Sequence, residues 1–309
     1  MSTYALTPEQ LAFYDANGYL LLRNWIPQPM LERLQAAGDT WIADGMAAGE
    51  DDPQHGPDYR FVNNDHGRTM WRVDYLHNKG LPASLELLGS PVVTEVAQSM
   101  CGVNFVPTYE AIVFKQEGNG AAVEWHQDAV HPRTHRIFNY DLYLDESLSG
   151  AGALWVIPGS HLQSHDVCRL SAVHGWNAPG AIEIEMQPGD VLLHDVMVLH
   201  GSPQTEGKRL RRTIYYEFRA AEEIVEDGPW DRTWIDQRLR LVPLGLKRYA
   251  AQYPQGEQFQ WQISDEFRPE MSDDEATELR VAHQVHMNGS YCSAGDAAKL
   301  KAALQAANN

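Results

Sequence analysis

The chain predicts a mainly β fold, a double-stranded β-helix of jelly-roll or cupin-like type with α-helices packed outside it. Between residues 105 and 219, short apolar and aromatic runs recur, separated by turn-forming Gly, Pro, Asn and Asp. Helix-start signals gather before and after that stretch. With 309 residues and 43% hydrophobic content, the chain can bury one large core and carry extensions.

The elements follow in order. Thr7-Pro8-Glu9-Gln10 opens a helix: Thr7 is the N-cap, Pro8 occupies the first turn, and Gln10 completes a capping box. That helix ends near Gly18, and Tyr19 to Leu22 form a strand. A second helix runs from Pro29 to about Gly45. Residues 49–68 are rich in Asp, Pro, Gly and His and read as a loop, a candidate lid over the site. Ser90-Pro91 opens a third helix. Core strands are expected at Glu110–Lys115, Asn139–Asp145, Gly152–His161, Pro188–Asp195, His200–Pro203 and Arg211–Phe218. Beyond residue 220, Gly228–Tyr253 is partly helical. Ser272-Asp273-Asp274-Glu275 is a capping box for a helix to about Gln284, and Ser293–Ala307 reads as a terminal helix. The expected organisation is a single domain over 1–309, with a helical N-terminal region (1–104), the jelly-roll core (105–219) and a mostly helical extension (220–309). The extension packs on the barrel, lines the pocket mouth or contacts a second copy, with packing the expected role.

The chemistry is concentrated in Trp125-His126-Gln127-Asp128, His200 and Arg211. Residues i and i+2 of a strand share a face, so His126 and Asp128 can reach one ion. His200 must come from a second strand brought alongside. Two imidazoles and one carboxylate leave three coordination positions open, the facial arrangement of non-haem Fe(II) oxygenases, whereas a structural zinc site closes with four ligands. A small bidentate acid fills two open positions and O2 the third. Arg211, eleven residues past His200, can hold such an acid beside the iron.

These pieces resemble the phytanoyl-CoA dioxygenase family of Fe(II)/2-oxoglutarate-dependent oxygenases. The resemblance rests on Trp125-His126-Gln127-Asp128, Gly152 through His161, Gly189-Asp190-Val191-Leu192-Leu193, His200-Gly201-Ser202 and Arg211, and covers roughly residues 105–219. It implies a metal triad of His126, Asp128 and His200. It also implies that Arg211 binds the distal carboxylate of 2-oxoglutarate with Ser202 assisting, as a guanidinium fork suits a carboxylate. Related halogenases place a small residue at the Asp128 position, so the retained carboxylate favours hydroxylation. The expected cofactors are Fe(II), 2-oxoglutarate and O2.

Other residues carry alternatives. Asp141 and Tyr143 share one strand face. In relatives the Asp141 position often holds a large apolar residue facing the pocket, so this acid is read either as a contact for a cationic or hydroxylated substrate or as a hydrogen-bonded surface residue. Trp155 either walls the pocket or packs in the core. Gln127 points away from the metal and supports its neighbours. Lys115 faces cosubstrate or solvent, with solvent preferred. His131 and His135 read as surface residues, His161 as a structural turn residue. Arg212 points away from Arg211, and Lys208 and Arg209 are expected at the surface.

The formal charge of −18, from 24 basic and 42 acidic residues, argues against nucleic-acid and anionic-membrane partners. It also disfavours a phosphate-rich acyl-CoA substrate, although Arg133, His135 and Arg136 form a candidate basic patch. No signal peptide or membrane-length apolar run is visible. Cys101, Cys168 and Cys292 lack paired metal spacing and read as reduced thiols of a cytoplasmic protein. The functional expectation is hydroxylation of an aliphatic carbon of a small-molecule metabolite. Alternatives are desaturation, cyclisation or phosphonate oxidation at the same centre, a non-catalytic metal-binding sensor, or a cupin-type lyase or hydrolase, which would have no use for Arg211 and Ser202. Oligomeric state stays open.

Overall fold

The computed structural model describes residues 3–64, 67–115, 122–131, 133–204, 210–271, 274, 279 and 289–307. Two antiparallel sheets face each other. The strands are β1 (Tyr19–Leu22), β2 (Tyr59–Asn64), β3 (Gly67–Asp74), β4 (Phe105–Lys115), β5 (Val123–Gln127), β6 (Phe138–Tyr143), β7 (Leu154–Val156), β8 (Ile182–Ile184), β9 (Val191–Asp195), β10 (His200–Ser202), β11 (Arg211–Ala220) and β12 (Ser290–Tyr291). The larger sheet has the order β1-β9-β6-β11-β4-β3-β2, and the smaller the order β12-β5-β10-β7-β8. The jumps in chain order are those of a jelly roll.

Period-two alternation decides which side chains face the site. On the large sheet, Ile112, Phe114, Phe138, Tyr140, Leu142, Val191, Leu193, Ile214, Tyr216 and Phe218 share a hydrophobic cluster with Leu31 and Leu34 of helix α2 (Gln28–Ala48). That face is covered by helices. The alternate positions, including Lys115, Asn139, Asp141, Tyr143, His194, Arg211, Thr213 and Tyr215, therefore look toward the small sheet.

The N-terminal expectations match closely. Helix α1 spans Pro8–Asn17 with the full capping box: Gln10 N donates to Thr7 Oγ1 at 3.2 Å and Thr7 N to Gln10 Oε1 at 2.9 Å. Gly18 ends it at φ +76°, and a Cβ there would lie 2.5 Å from His161 Nδ1. Glycine is thus required by backbone and by space, and His161 serves the structural role expected of its turn.

Two expectations are corrected. Residues 49–68 are not one loop: β2 and the start of β3 form an edge hairpin of the large sheet. The Asp, Pro, Gly and His flanks hid the strand in Tyr59-Arg60-Phe61-Val62. Cys168 and Cys292 are not separate thiols but form a disulfide, while Cys101 is free and buried. Their separation of 124 residues gave no spacing signal, since they meet only when β12 docks beside β5. Most of the expected 272–284 helix, together with Lys208 and Arg209, falls outside the described residues.

Neighbours Arg211 and Arg212 point to opposite sides. Arg212 turns to the helix layer, where Nε and Nη2 donate to the Asp145 carboxylate at 2.8 and 2.9 Å and Nη1 reaches Gln35 O at 2.9 Å. Arg212→Ala leaves the partly buried Asp145 carboxylate with the backbone N–H of residue 212 at 2.9 Å but without its guanidinium, and is expected to lower stability by about 2 kcal/mol, the scale of lost hydrogen bonds to a charged group. Arg211→Ala removes an inward cation that has no carboxylate partner among the described residues, and should leave the melt near wild type. Urea unfolding of both variants checks the contrast.

Candidate metal centre

On the small sheet, β10 pairs antiparallel with β5 so that His200 stands directly across from His126. Their ring centroids are 4.1 Å apart. Asp128 lies just past the end of β5. The candidate ligand atoms of His126, Asp128 and His200 all fall within 4.8 Å of one another. His126 Nε2 is 3.3 Å from Asp128 Oδ1, and His200 Nε2 is 3.7 Å from Asp128 Oδ2. Each imidazole is aimed by its other nitrogen: Nδ1 of His126 donates to Glu124 O at 2.8 Å and Nδ1 of His200 to Val198 O at 3.0 Å. These bonds select the tautomer that leaves each Nε2 lone pair facing the cluster.

The electrostatics suit a cation. Burial works to raise the Asp128 carboxyl, but His200, His126 and His194 outweigh it and hold the group well below the usual carboxylate range. Burial and then His126 push His200 well below the usual imidazole range. The set is therefore an ionised carboxylate with a neutral His200, the protonation state a metal requires. The donor chemistry fits Fe(II).

Along the inward face, Arg211 stands opposite Lys115. Nη1 of Arg211 donates to Ser147 Oγ at 3.2 Å and to the Gly152 carbonyl, while its Nε is buried without a partner. Lys115 is buried rather than solvent-facing; its Nζ donates to Pro203 O at 3.0 Å. Burial, and after it the Arg211 charge, lowers the lysine to about 7. Among the described residues no ion pair neutralises either cation. Ser202 is buried at the end of β10, two residues from His200. This basic end of the inter-sheet space is matched to a carboxylate.

The remaining expected residues separate. Asp141 is fully buried and bonded to His194 Nδ1 at 2.7 Å, so it is neither a surface acid nor open to substrate. Tyr143 is buried in a cluster with Leu154, Val156 and Leu192. Trp155 does not wall the pocket; it packs with Trp125, Val167 and Trp176 on the outer side of the small sheet. Its parity explains this, since Leu154 and Val156 take the inward positions. Gln127 points outward and joins the loop that leads to His200, donating to Met197 O at 2.6 Å and Gln163 O at 3.0 Å. The candidate basic patch is neutralised: Arg133 pairs with Asp195 at 2.7 Å, His135 with Glu223 at 3.2 Å and Arg136 with Asp15 at 2.7 Å.

Four contributors escaped sequence reasoning. Asn139 and His194 touch Asp128. Strand parity with Asp141 was a signal for Asn139; nothing local marked His194. Tyr291 stacks on His126 with centroids 5.3 Å apart, carried there by β12. Arg72, inward on β3, lies 4.9 Å from the Trp71 ring and 2.8 Å from Asp74 Oδ1, while Asp74 is also held by Arg60 at 2.8 Å. One carboxylate thus serves two guanidiniums among the described residues.

Comparison with known proteins agrees with this geometry. The family model described as phytanoyl-CoA dioxygenase (PhyH) matches residues 14–213. A protein of Stutzerimonas stutzeri named "Probable alpha-ketoglutarate-dependent hypophosphite dioxygenase" is 30% identical over 151 residues, covering 44% of this chain and 52% of that protein. The "Probable phytanoyl-CoA dioxygenase" of Caenorhabditis elegans is 23% identical over 272 residues, covering 79% and 86%. The match thus spans about half the length of the bacterial relative and most of the worm one. Among solved structures, AviO1 from Streptomyces viridochromogenes is 25% identical with a TM-score of 0.59, covering 74% of this chain and 99% of that one. EctD from S. alaskensis, solved with 2-oxoglutarate and 5-hydroxyectoine, shares the fold at 20% identity and a TM-score of 0.59, covering 76% and 85%. With a jelly roll, a His-Asp-His cluster and the family's sequence pattern over residues 14–213, this chain belongs to the phytanoyl-CoA dioxygenase family of Fe(II)/2-oxoglutarate-dependent oxygenases.

Proposed function

We propose that this protein is an Fe(II)/2-oxoglutarate-dependent dioxygenase that hydroxylates an aliphatic carbon of a small polar or mixed metabolite. The observation that carries the reading is the alignment, inside one inter-sheet space, of the His126–Asp128–His200 cluster with the cations Arg211 and Lys115, which have no ion-pair partner among the described residues. His126, Asp128 and His200 would hold iron. Arg211, with Ser202 and Lys115 beside it, would hold the distal carboxylate of 2-oxoglutarate. Iron and cosubstrate, when bound, supply O2 activation coupled to decarboxylation of 2-oxoglutarate to succinate and CO2. The protein's share is orientation and exclusion of water. Glu124 O and Val198 O fix the imidazoles, and Arg211 fixes the acid's far end.

The whole chain is taken as one catalytic domain, supported by β1 pairing with β9 and β12 with β5, which draws both ends of the chain into the sheets. Arg72, which shares Asp74 with Arg60, supports a substrate with an anionic or acceptor group. The pairing of Arg133, His135 and Arg136 with acids supports a metabolite over an acyl-CoA. The name of the bacterial relative favours oxidation at phosphorus as a second reading. No described helix is long and apolar enough to cross a membrane. A cytoplasmic site of action was the expectation from the sequence; the Cys168–Cys292 disulfide favours an oxidising compartment instead, so trapping thiols in intact cells should find the two cysteines bridged, and reduced thiols would restore the cytoplasmic reading.

The test is succinate release from 2-oxoglutarate by anaerobically Fe(II)-loaded protein after O2 is admitted, with and without a metabolite pool. Release that requires iron and is stimulated by the pool is expected. Arg211→Ala should weaken 2-oxoglutarate binding about a hundredfold, the scale of truncating one partner of a buried charge pair. No succinate despite tight iron binding would favour a metal-binding sensor.

The lysine gives a pH signature. Lys115 is charged below about 7 and neutral above, while Arg211 stays charged throughout. An anion beside Lys115 favours its charged form. The 2-oxoglutarate dissociation constant should therefore rise as pH increases from 7 to 9. Lys115→Met should bind more weakly at pH 6.5 and lose that slope, as calorimetric titration would show.

A further inference from the structure

Asp128 sits past the last residue of β5, so no strand pairing fixes its side chain. What fixes it comes from the opposite sheet. Asn139 Nδ2 donates to Asp128 Oδ2 at 2.8 Å, and His194 Nε2 lies 3.4 Å from the same oxygen. Asn139 and His194 are a cross-strand pair of β6 and β9, and the Asn139 amide also donates to His194 Nε2 at 2.9 Å, which makes that ring nitrogen the acceptor. His194 is braced in turn: its Nδ1 is 2.7 Å from Asp141 Oδ2, and Asp141 Oδ1 is buried with no partner. The His194 and Asp141 side chains are at most 1% exposed.

Burying an acid, an imidazole and an amide together is costly, and apolar residues of similar size would fill the volume at lower cost. They form a chain that ends on Asp128 Oδ2: Asp141 holds His194, His194 holds the Asn139 amide, and that amide donates to the oxygen. Oδ2 is also 3.7 Å from His200 Nε2, while Oδ1 faces His126 Nε2 at the shorter distance of 3.3 Å. A carboxylate that binds iron through both oxygens occupies two positions. With two imidazoles, that leaves two positions, fewer than a chelating 2-oxo acid and O2 need together.

We propose that Asn139 and the His194–Asp141 pair are positioning residues that hold Oδ2 of Asp128 off the metal, so that the aspartate binds through Oδ1 alone and three positions stay open. The inference rests on the dioxygenase reading above. It concerns hydrogen-bond geometry, not the charge state of His194. Removing the Asn139 donor, or the imidazole that aims it, frees Oδ2 to enter the coordination sphere and compete with the cosubstrate.

The test compares paired variants. In His194→Gln/Asp141→Asn, the glutamine amide oxygen replaces imidazole Nε2 and keeps an acceptor that aims Asn139. In His194→Phe/Asp141→Leu that acceptor is gone. Both lose the buried acid–imidazole pair, so general destabilisation is common to them. Asn139→Ala is a smaller, independent change that still tests the idea if a double variant fails to fold. For each, Fe(II) affinity, the visible charge-transfer band formed when 2-oxoglutarate chelates the iron anaerobically, and the melting temperature are measured. The His194→Phe/Asp141→Leu and Asn139→Ala variants should bind Fe(II) at least as tightly as wild type. Their 2-oxoglutarate affinity should fall about tenfold or more, the scale of lost outer-shell support, with a weakened band. The Gln/Asn variant should keep both affinity and band. His194→Phe/Asp141→Leu and Asn139→Ala variants that keep wild-type band and cosubstrate affinity, or a Gln/Asn variant that loses them in step with its melting temperature, would overturn the proposal. A wild-type protein that forms no band would instead overturn the dioxygenase reading itself.

Discussion

The antiparallel pairing that sets His200 across from His126 is the constraint on which the rest of the molecule depends. Neither histidine can bind an ion alone, and the two are distant in sequence. Sheet closure brings their rings within 4.1 Å between centroids. Facing strands of a jelly roll can do this because alternate side chains of each strand point into the same inter-sheet space. Everything else supports that approach. Gln127 ties β5 to the loop ahead of His200. The Cys168–Cys292 bridge and Tyr291 cover the outer edge of β5. On the larger sheet, a helix-backed hydrophobic face keeps the charged positions turned inward.

Those inward positions carry an uneven charge distribution. One end of the space has cations without paired acids among the described residues, at Arg211 and Lys115. The middle has an ionised aspartate held by imidazoles. The side near β3 has two guanidiniums sharing Asp74. Desolvated charges of one sign are unfavourable in the free protein, which is why burial and Arg211 lower Lys115 to about 7. Such charges persist where a bound ligand of the opposite sign relieves them. The free protein is thus less comfortable electrostatically than its complex with a small dicarboxylate and a divalent cation.

Much of this was legible in the sequence. The turn-bounded apolar runs and the capping box at Thr7 encode local geometry and predicted their elements; the His126-x-Asp128 spacing brought both side chains to one cluster although Asp128 lies just past the end of β5. The opposite directions of Arg211 and Arg212 followed from alternation alone. What stayed hidden depends on non-local pairing. Lys115 looked solvated because a terminal lysine of a strand usually is, and only its register with Arg211 shows otherwise. Trp155 had two open readings because alternation does not say which face is inside. His194 carries no local signal, since its role exists only through β6 and β5. The disulfide was missed because β12 is two residues long and finds its place only beside a formed β5. Composition also misled at residues 59–64, where polar flanks outweighed a short alternating strand.

The central claim is that the His-Asp-His cluster and the basic end of the space work together on O2 and a 2-oxo acid. Its most direct test is turnover under isotopically heavy O2 with mass analysis of the succinate. The account predicts that each succinate carries one heavy oxygen atom, because the new carboxylate takes an atom from O2 as CO2 leaves. Succinate formed without label, or no succinate while substrate is still converted, would contradict it.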